Sequence, residues 1–419
     1  METKLQTSRT IDRSPVPYAW VVLATALLTT IATIPGQTIG VSVFLDGIIA
    51  DLGTSRSTVS LLYTIGTLLG SFTLPFVGRF IDRRGPRLAV GLIASAFAAA
   101  TIFMSGVTGL ATLAIGFVLI RGLGQGSLSL VSQHVVSLWF VRRRGLAIGL
   151  LGLGMAVATA FVPALLESLI AARGWRQAYA ILGVIVAVSA GPLGVAFFRG
   201  QPESFGTVPD GRSRRAAAAA EPLEETNLTL PQARRTGAFW LVLAGDAAIA
   251  ALSTGLVFHH FDILASAGVD RATAAAVFVP IGLVTAASHL STGALLDRTR
   301  PRFVLAGMLA LQAGALALGG LLSAPWILVY GSLIGLTQGM RGAVAGSTYA
   351  YYFGRRNIGS IKGFATTVSV GGTAVGPLLF AVGRDLAGDY LAVLVASAIV
   401  PALLAVASLR LRPPAQTPA

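Results

Sequence analysis

The sequence predicts an all-α membrane protein of about twelve transmembrane helices arranged in two pseudo-symmetric six-helix bundles. Three observations predict it. Hydrophobic residues make up 54% of the 419-residue chain and charged residues only 11%, a balance that would aggregate as a soluble domain. Apolar runs of about 20 residues, each long enough to cross a hydrocarbon core, recur along the chain. One charged stretch is spelled twice, as Gly78-Arg79-Phe80-Ile81-Asp82-Arg83-Arg84-Gly85-Pro86-Arg87 and Gly293-Ala294-Leu295-Leu296-Asp297-Arg298-Thr299-Arg300-Pro301-Arg302. Each copy lies between two long apolar runs, so each reads as a tight, charged loop at a membrane surface.

The elements follow in order. A polar tail over 1–17 carries Lys4, Arg9 and Arg13. The apolar run that starts near Tyr18 is too long for a signal-peptide core, and no small-residue cleavage site follows it, so it reads as a retained first helix. Spans are expected at about 18–44, 57–77, 88–107, 111–140, 145–171 and 176–198, the first bundle covering about 18–198. A cytoplasmic linker over about 199–236 holds Pro202, Pro209, Asp210-Gly211 and the like-charged Arg212, Arg214 and Arg215, the composition of a connector rather than a packed element. Six more spans are expected at about 238–264, 271–296, 302–322, 326–353, 360–383 and 388–409, forming a second bundle over about 237–409 before a short tail at 410–419.

Even-numbered spanning puts both termini on one side, and charge decides which. Of 31 Lys and Arg, only Arg56, Arg173, Arg176, Arg271 and Arg384 fall on the opposite side. The bias places both termini in the cytoplasm of a bacterial inner-membrane protein. Attraction to anionic membrane lipids accounts for the net charge of +14 without a nucleic-acid partner. Cysteine is absent, which excludes disulfides, thiolate metal sites and cysteine nucleophiles. No glycine-rich loop precedes a Lys-Ser or Lys-Thr, and no Ser/His/Asp set or metal-ligand spacing appears. The expectation is therefore no enzyme, no cofactor and no metal.

The duplication extends beyond the charged stretch. Gly122-Leu-Gly-Gln-Gly126 matches Gly335-Leu-Thr-Gln-Gly339, and Trp139-Phe140 with Arg142-Arg143 matches Tyr352-Phe353 with Arg355-Arg356. With one residue inserted, Gly145, Gly149 and Pro163 align with Gly359, Gly363 and Pro377. Unrelated apolar helices would share Leu and Ala, not Gln-Gly, Arg-Arg and Pro at one offset. Repeated halves around a central site suit a transporter.

At these residues the sequence resembles the major facilitator superfamily over nearly its full length. Gly78–Arg87 looks like that family's signature between helices two and three, with Gly293–Arg302 its counterpart. Arg121-Gly-Leu-Gly-Gln125-Gly126 looks like its helix-four signature, and Gly174-Trp175-Arg176 with Tyr179 like a common opening of helix six. Gly36-Gln37-Thr38-Ile39-Gly40, and in the linker Pro202-Glu203, Gly206 and Pro209-Asp210-Gly211, look like the branch of bacterial monocarboxylate carriers and oxalate–formate exchangers. The resemblance implies a secondary transporter with a midplane cavity lined mainly by helices one, four, seven and ten; a monomer is the expected state. It also implies, in the oxalate exchangers, cations in helices eight and eleven that hold a dicarboxylate. Helix eight here offers His289 instead, and Lys362 lies near the cytoplasmic end of helix eleven.

Candidate residues follow from what is costly in a membrane. Arg121 in helix four and Arg341 in helix ten lie at membrane depth, where a cation costs about 3 kcal/mol on insertion scales and must face a cavity or a partner. Arg121 either binds a substrate anion or braces its neighbours. Arg341 stands where the first repeat has Leu128, and such asymmetry suits a substrate ligand. Gln125 and Gln338 are symmetry mates that could bond a substrate or another helix. Gln37 follows Pro35-Gly36, which loosen helix one and expose carbonyls to a cavity. Asp246 in helix seven, with His260 and Asp262 near that helix's outer end, are the proton-coupling candidates. His134 and His289 read as packing residues, and Glu167 as an exposed one. Asp82, Arg83, Arg87, Asp297, Arg298 and Arg302 read as gating parts, because charge-assisted pairs that form in only one of two states can hold or release helix ends. The expected substrate is a small organic anion such as a monocarboxylate, carried by symport or antiport with a proton as the coupling ion. The rival readings are a neutral or amphipathic metabolite such as a vitamin, or drug efflux, for which helix five shows no clear antiporter pattern.

Overall fold

The structure, a computed structural model, describes residues 8–12, 14–140, 143–207, 209, 228–321, 324–354 and 357–412. Among them every regular element is helical, and nine helices are long and apolar enough to cross a membrane, one of them spanning helices five and six; with the broken helix one and helix ten the set is consistent with twelve spans. Linker positions Asp210–Ala220 and the repeated arginines Arg142, Arg355 and Arg356 lie outside the described residues.

The elements follow the apolar runs, and their departures have local causes. Helix one runs Tyr18–Ile31, breaks into a single 3-10 turn at Ile34–Gly36, and resumes as Thr38–Leu52. Pro35 removes one backbone donor, which is why the ladder breaks there. The helix continues past the end of the apolar run, through Asp46 and Asp51. Helix two is Arg56–Phe72 and Leu74–Arg84, and helix three is Pro86–Ser105. Helix four joins Leu110–Ile120 to Ser129–Trp139 through a π-helical stretch, Arg121–Leu128. Helices five and six form one helical stretch, Arg144–Phe197, divided at Gly174, whose φ of 77° only glycine adopts readily. Helix seven is Gly237–Phe258, followed by His260–Ser266. Helix eight is Arg271–Ala276 and Phe278–Arg298, helix nine Pro301–Gly320 and helix ten Ile327–Phe353. Helix eleven is Ile358–Ala387, and helix twelve Tyr390–Leu409.

The duplicated stretches are not loops throughout. Gly78–Arg84 belongs to the last turns of helix two, and Gly293–Arg298 to those of helix eight. Charged residues do not end a helix. Arg83, Arg84 and Arg298 in the last turn favour one, because they face the negative end of its dipole. The chain turns only at Gly85, where φ is 80°, and at Thr299-Arg300, before the prolines that open helices three and nine. The two turns differ because Arg300 stands where the first copy has Gly85, and it takes an extended rather than a left-handed backbone.

By contacts the chain divides into two compact units. The first comprises 1–54, 65–158 and 168–221, and the second 55–64, 159–167 and 222–419. The starts of helix two and a stretch of helix five therefore cluster with the second unit. In the first unit a clasp joins the tail to the end of helix six. The Arg199 guanidinium donates to Ser8 and Thr10, and Tyr18 donates its hydroxyl to the Phe197 carbonyl. The second unit has an apolar core of helices seven, nine, ten, eleven and twelve built on Phe239, Leu309, Tyr352 and Phe353.

Candidate substrate and gating sites

In the first unit the polar candidates gather where helix one breaks. The freed carbonyl of Gly36 accepts from Arg121 Nη1 at 3.0 Å, and Thr67 Oγ1 of helix two accepts from Arg121 Nε at 2.9 Å. Arg121 is 3% exposed. These bonds give it a bracing role across helices one, two and four. Close packing makes the reach short: a Cβ on Gly36 would lie 2.3 Å from the Ile120 carbonyl oxygen. The three glycines of Arg121–Leu128 allow the wider π turn, in which Ser127 donates to the Gly122 carbonyl. Such turns often mark functional positions in helices. Gln37 donates to Thr33 Oγ1 at 2.9 Å and to Ser129 Oγ at 3.5 Å. Gln125 is half-buried, and its buried Oε1 accepts no hydrogen bond among the described residues.

In the second unit Asp246 and Arg341 meet. Arg341 Nε donates to Asp246 Oδ1 at 3.2 Å, and the Ser369 hydroxyl of helix eleven donates to Asp246 Oδ2. The Asp246 side chain is 13% exposed and that of Arg341 33%. The carboxylate is thus held on both oxygens, while the guanidinium keeps an open side. Gln338 is half-buried one turn before Arg341. His289 is half-buried on helix eight.

A second polar group surrounds Asp262. Its Oδ2 accepts from Arg56 Nε at 3.0 Å and from the Tyr390 hydroxyl at 2.7 Å, with Arg384 Nε at 3.4 Å. Nearby, Ser57 donates to Asp385. Glu167, expected to be exposed, is 15% exposed and pairs with Arg271 Nε at 2.8 Å. In the first unit Arg176 pairs with Asp51 at 2.7 Å. Four of the five arginines that the charge bias assigns to the side opposite the termini, Arg56, Arg176, Arg271 and Arg384, therefore have a carboxylate partner. Sequence reasoning missed this, although a cation on the disfavoured side was the available signal. His260 is fully buried and donates Nε2–H to the Ala274 carbonyl, and His259 donates to that of Pro377. Both imidazoles fix helix ends. Asp270 caps helix eight, where bonds from the Thr273 hydroxyl and backbone N–H hold its carboxyl below the usual range.

The gating candidates are exposed at the charged turns. Asp82, Arg83 and Arg87 face outward, and Asp82 has no ion pair among the described residues. Arg298 is exposed. Arg302 lies over the Phe303 ring at 4.7 Å and donates to the Leu411 carbonyl at 3.4 Å. The Asp297 side chain lies outside the described set.

This arrangement of spans, breaks and buried polar groups has a counterpart in sequence: the family model of the Major Facilitator Superfamily matches residues 21–377. The chain belongs to that superfamily. Among relatives, the mouse Monocarboxylate transporter 6 is 30% identical over 182 residues, 43% of this chain and 38% of that protein. The "Probable L-galactonate transporter" of Escherichia coli is 29% identical over 32% of this chain and 31% of its own. The "Oxalate:formate antiporter" of Oxalobacter formigenes is 25% identical over 40% of each chain. The matches thus span two-fifths or less of these relatives' lengths. A solved bacterial homolog of the human lysosomal transporter Spinster superposes with a TM-score of 0.68 at 17% identity, covering 94% of this chain and 96% of its own. That likeness carries the fold. The superfamily and the relatives named here are transporters, not enzymes.

Proposed function

We propose that this superfamily member is a secondary active transporter that moves a small organic anion, such as a monocarboxylate, across a bacterial inner membrane by alternating access, with both termini cytoplasmic. The carrying observation is the Arg341–Asp246–Ser369 group. A guanidinium at membrane depth is fixed by one carboxylate yet one-third open. It offers its remaining N–H groups to a carboxylate ligand, for which the planar fork is suited. Asp246 is the proton acceptor in this reading. Protonation would weaken its hold on Arg341, free the guanidinium for the substrate anion and couple the two movements. Names of relatives support the anion class: monocarboxylate, L-galactonate and oxalate with formate. Gln37, Gln125, Gln338 and Arg121 complete the proposed site, Arg121 by positioning. Asp262, with Arg56 and Arg384, is the proposed outer latch, and Asp82, Arg83, Arg87, Asp297, Arg298 and Arg302 are the proposed inner one. The two bundles, at about 18–198 and 237–409, are the proposed moving bodies.

The test is uptake into proteoliposomes of a panel of radiolabelled small carboxylates and neutral metabolites, with and without an imposed pH gradient. Wild type should accumulate at least one carboxylate, and Arg341→Gln should abolish that accumulation. Full carboxylate transport by Arg341→Gln, or uptake of neutral compounds alone, would discard the anion reading.

A further inference from the structure

Helices eight, nine and ten of the second unit enclose an apolar groove of about 550 Å³. Leu295 of helix eight, Thr299 of the turn that follows it and Phe303 of helix nine form its mouth, and Gly307, Ala310 and Gly314 line one wall. Thr299 carries the one side-chain polar group among the described lining residues, and its hydroxyl is already bonded to the Leu295 carbonyl. Phe303 is 49% exposed and Leu295 44%, so the mouth is open. From Phe303 to Gly314 the groove runs about 16 Å at helical rise, close to one leaflet of a hydrocarbon core about 30 Å thick.

The mouth coincides with the second copy of the charged stretch. Arg298 and Arg300 are exposed there. Arg302 donates to the Leu411 carbonyl, which brings the segment bearing exposed Arg410 and Arg412 alongside. Arg302 Nε is buried without a hydrogen-bond partner among the described residues. Helix nine begins at Pro301 with no side-chain cap, so the positive end of its dipole adds to the same field. Asp297 supplies one opposing charge in sequence. A basic mouth over an apolar slot one leaflet long is complementary to an amphiphile with an anionic head and a hydrocarbon tail.

We propose that this groove binds one anionic phospholipid, its phosphate at Arg298, Arg300 and Arg302 and an acyl chain along Gly307–Gly314. The site is separate from the Arg341–Asp246 group and does not depend on which solute the protein moves. It differs from diffuse attraction of a basic surface to lipid, because the wall selects a chain as well as a charge. Gly307 gives a clean handle. A Cβ built there meets nothing within 4 Å, so a larger side chain would fill the slot without displacing the fold.

The experiment is native mass spectrometry of the detergent-purified full chain, delipidated and titrated with phosphatidylglycerol or phosphatidylcholine of the same chain length. Wild type should retain one phosphatidylglycerol at least tenfold more tightly than phosphatidylcholine. Gly307→Leu and the double variant Arg298→Gln/Arg300→Gln should each reduce that retention about tenfold. Their lipid-free melting temperatures should stay near that of wild type, which separates lost binding from misfolding. Equal retention of both lipids, or undiminished phosphatidylglycerol binding by Gly307→Leu, would overturn the proposal. So would displacement of the lipid by inorganic phosphate at equal concentration, which would mark a bare anion site. A Gly307→Leu variant that shifts the protein from dimer to monomer in light scattering would assign the groove to a second copy instead.

Discussion

Replacing Asp262 by Asn tests whether the polar group around it is one electrostatic unit, and the structure ranks its members. Asp262 is 17% exposed and faces Arg56 at 3.0 Å, 13% exposed, and Arg384 at 3.4 Å, 37% exposed. At an effective dielectric near 20, unit charges about 4 Å apart attract by about 4 kcal/mol. Desolvation consumes part of that for the enclosed Arg56 pair, leaving about 2 kcal/mol of coupling. Solvent screens the exposed Arg384 pair to about 1 kcal/mol or less. Asp262→Asn also leaves two guanidiniums facing each other across a neutral amide, so the total loss should be about 3 kcal/mol. The assay is a pair of double-mutant cycles, Asp262→Asn with Arg56→Gln and with Arg384→Gln, read as apparent unfolding free energy in mixed micelles. The Arg56 coupling should exceed the Arg384 coupling and should persist at high salt, while the Arg384 coupling fades. An Arg384 coupling equal to or larger than that of Arg56, or an unchanged stability for Asp262→Asn, would refute the reasoning.

Further outcomes follow from other contacts. Gly376→Ala places a Cβ 2.0 Å from the Ala251 carbonyl oxygen and should cost about 1–3 kcal/mol through forced separation of helices seven and eleven. Gly371→Ala, five residues earlier with nothing within 4 Å, should be neutral or stabilising by up to about 1 kcal/mol, so melting temperatures of the two should move apart. Asp246→Asn should keep substrate binding, measured by thermal shift, yet remove the dependence of uptake on a pH gradient. At Asp270 the folded carboxyl has a lowered pKa through its bonds to Thr273, so its stabilisation is complete above the unfolded carboxylate range and is lost as pH falls through the lowered folded value. The melting-temperature difference between wild type and Asp270→Ala should therefore shrink in strong acid.

The spans were legible because each rests on a local property. About 20 apolar residues must be helical in lipid, where every backbone group has to be satisfied internally. The break in helix one was legible for the same reason, since Pro35-Gly36 sits inside an apolar run. The charged stretches misled at first reading because polarity marks a membrane boundary, whereas a helix ends only where the backbone changes, at Gly85 and at Thr299-Arg300. Individual polar candidates were legible one by one from the cost of burying them. Their partners were not, because the pairs are long-range: Arg121 with Gly36, Arg341 with Asp246, and Arg56 and Arg384 with Asp262. One inference was nevertheless open from sequence. Few cations are expected on the side that the charge bias disfavours, so a local partner is worth seeking for each. Arg56, Arg176, Arg271 and Arg384 have one, a carboxylate within 4 Å, and those carboxylates come from Asp51, Glu167 and Asp262, near the ends of helices one, five and seven. Arginines on the side that the charge bias disfavours therefore point to carboxylates at the same helix ends, and pairing the two sets predicts which helix ends are held together before any coordinates are seen.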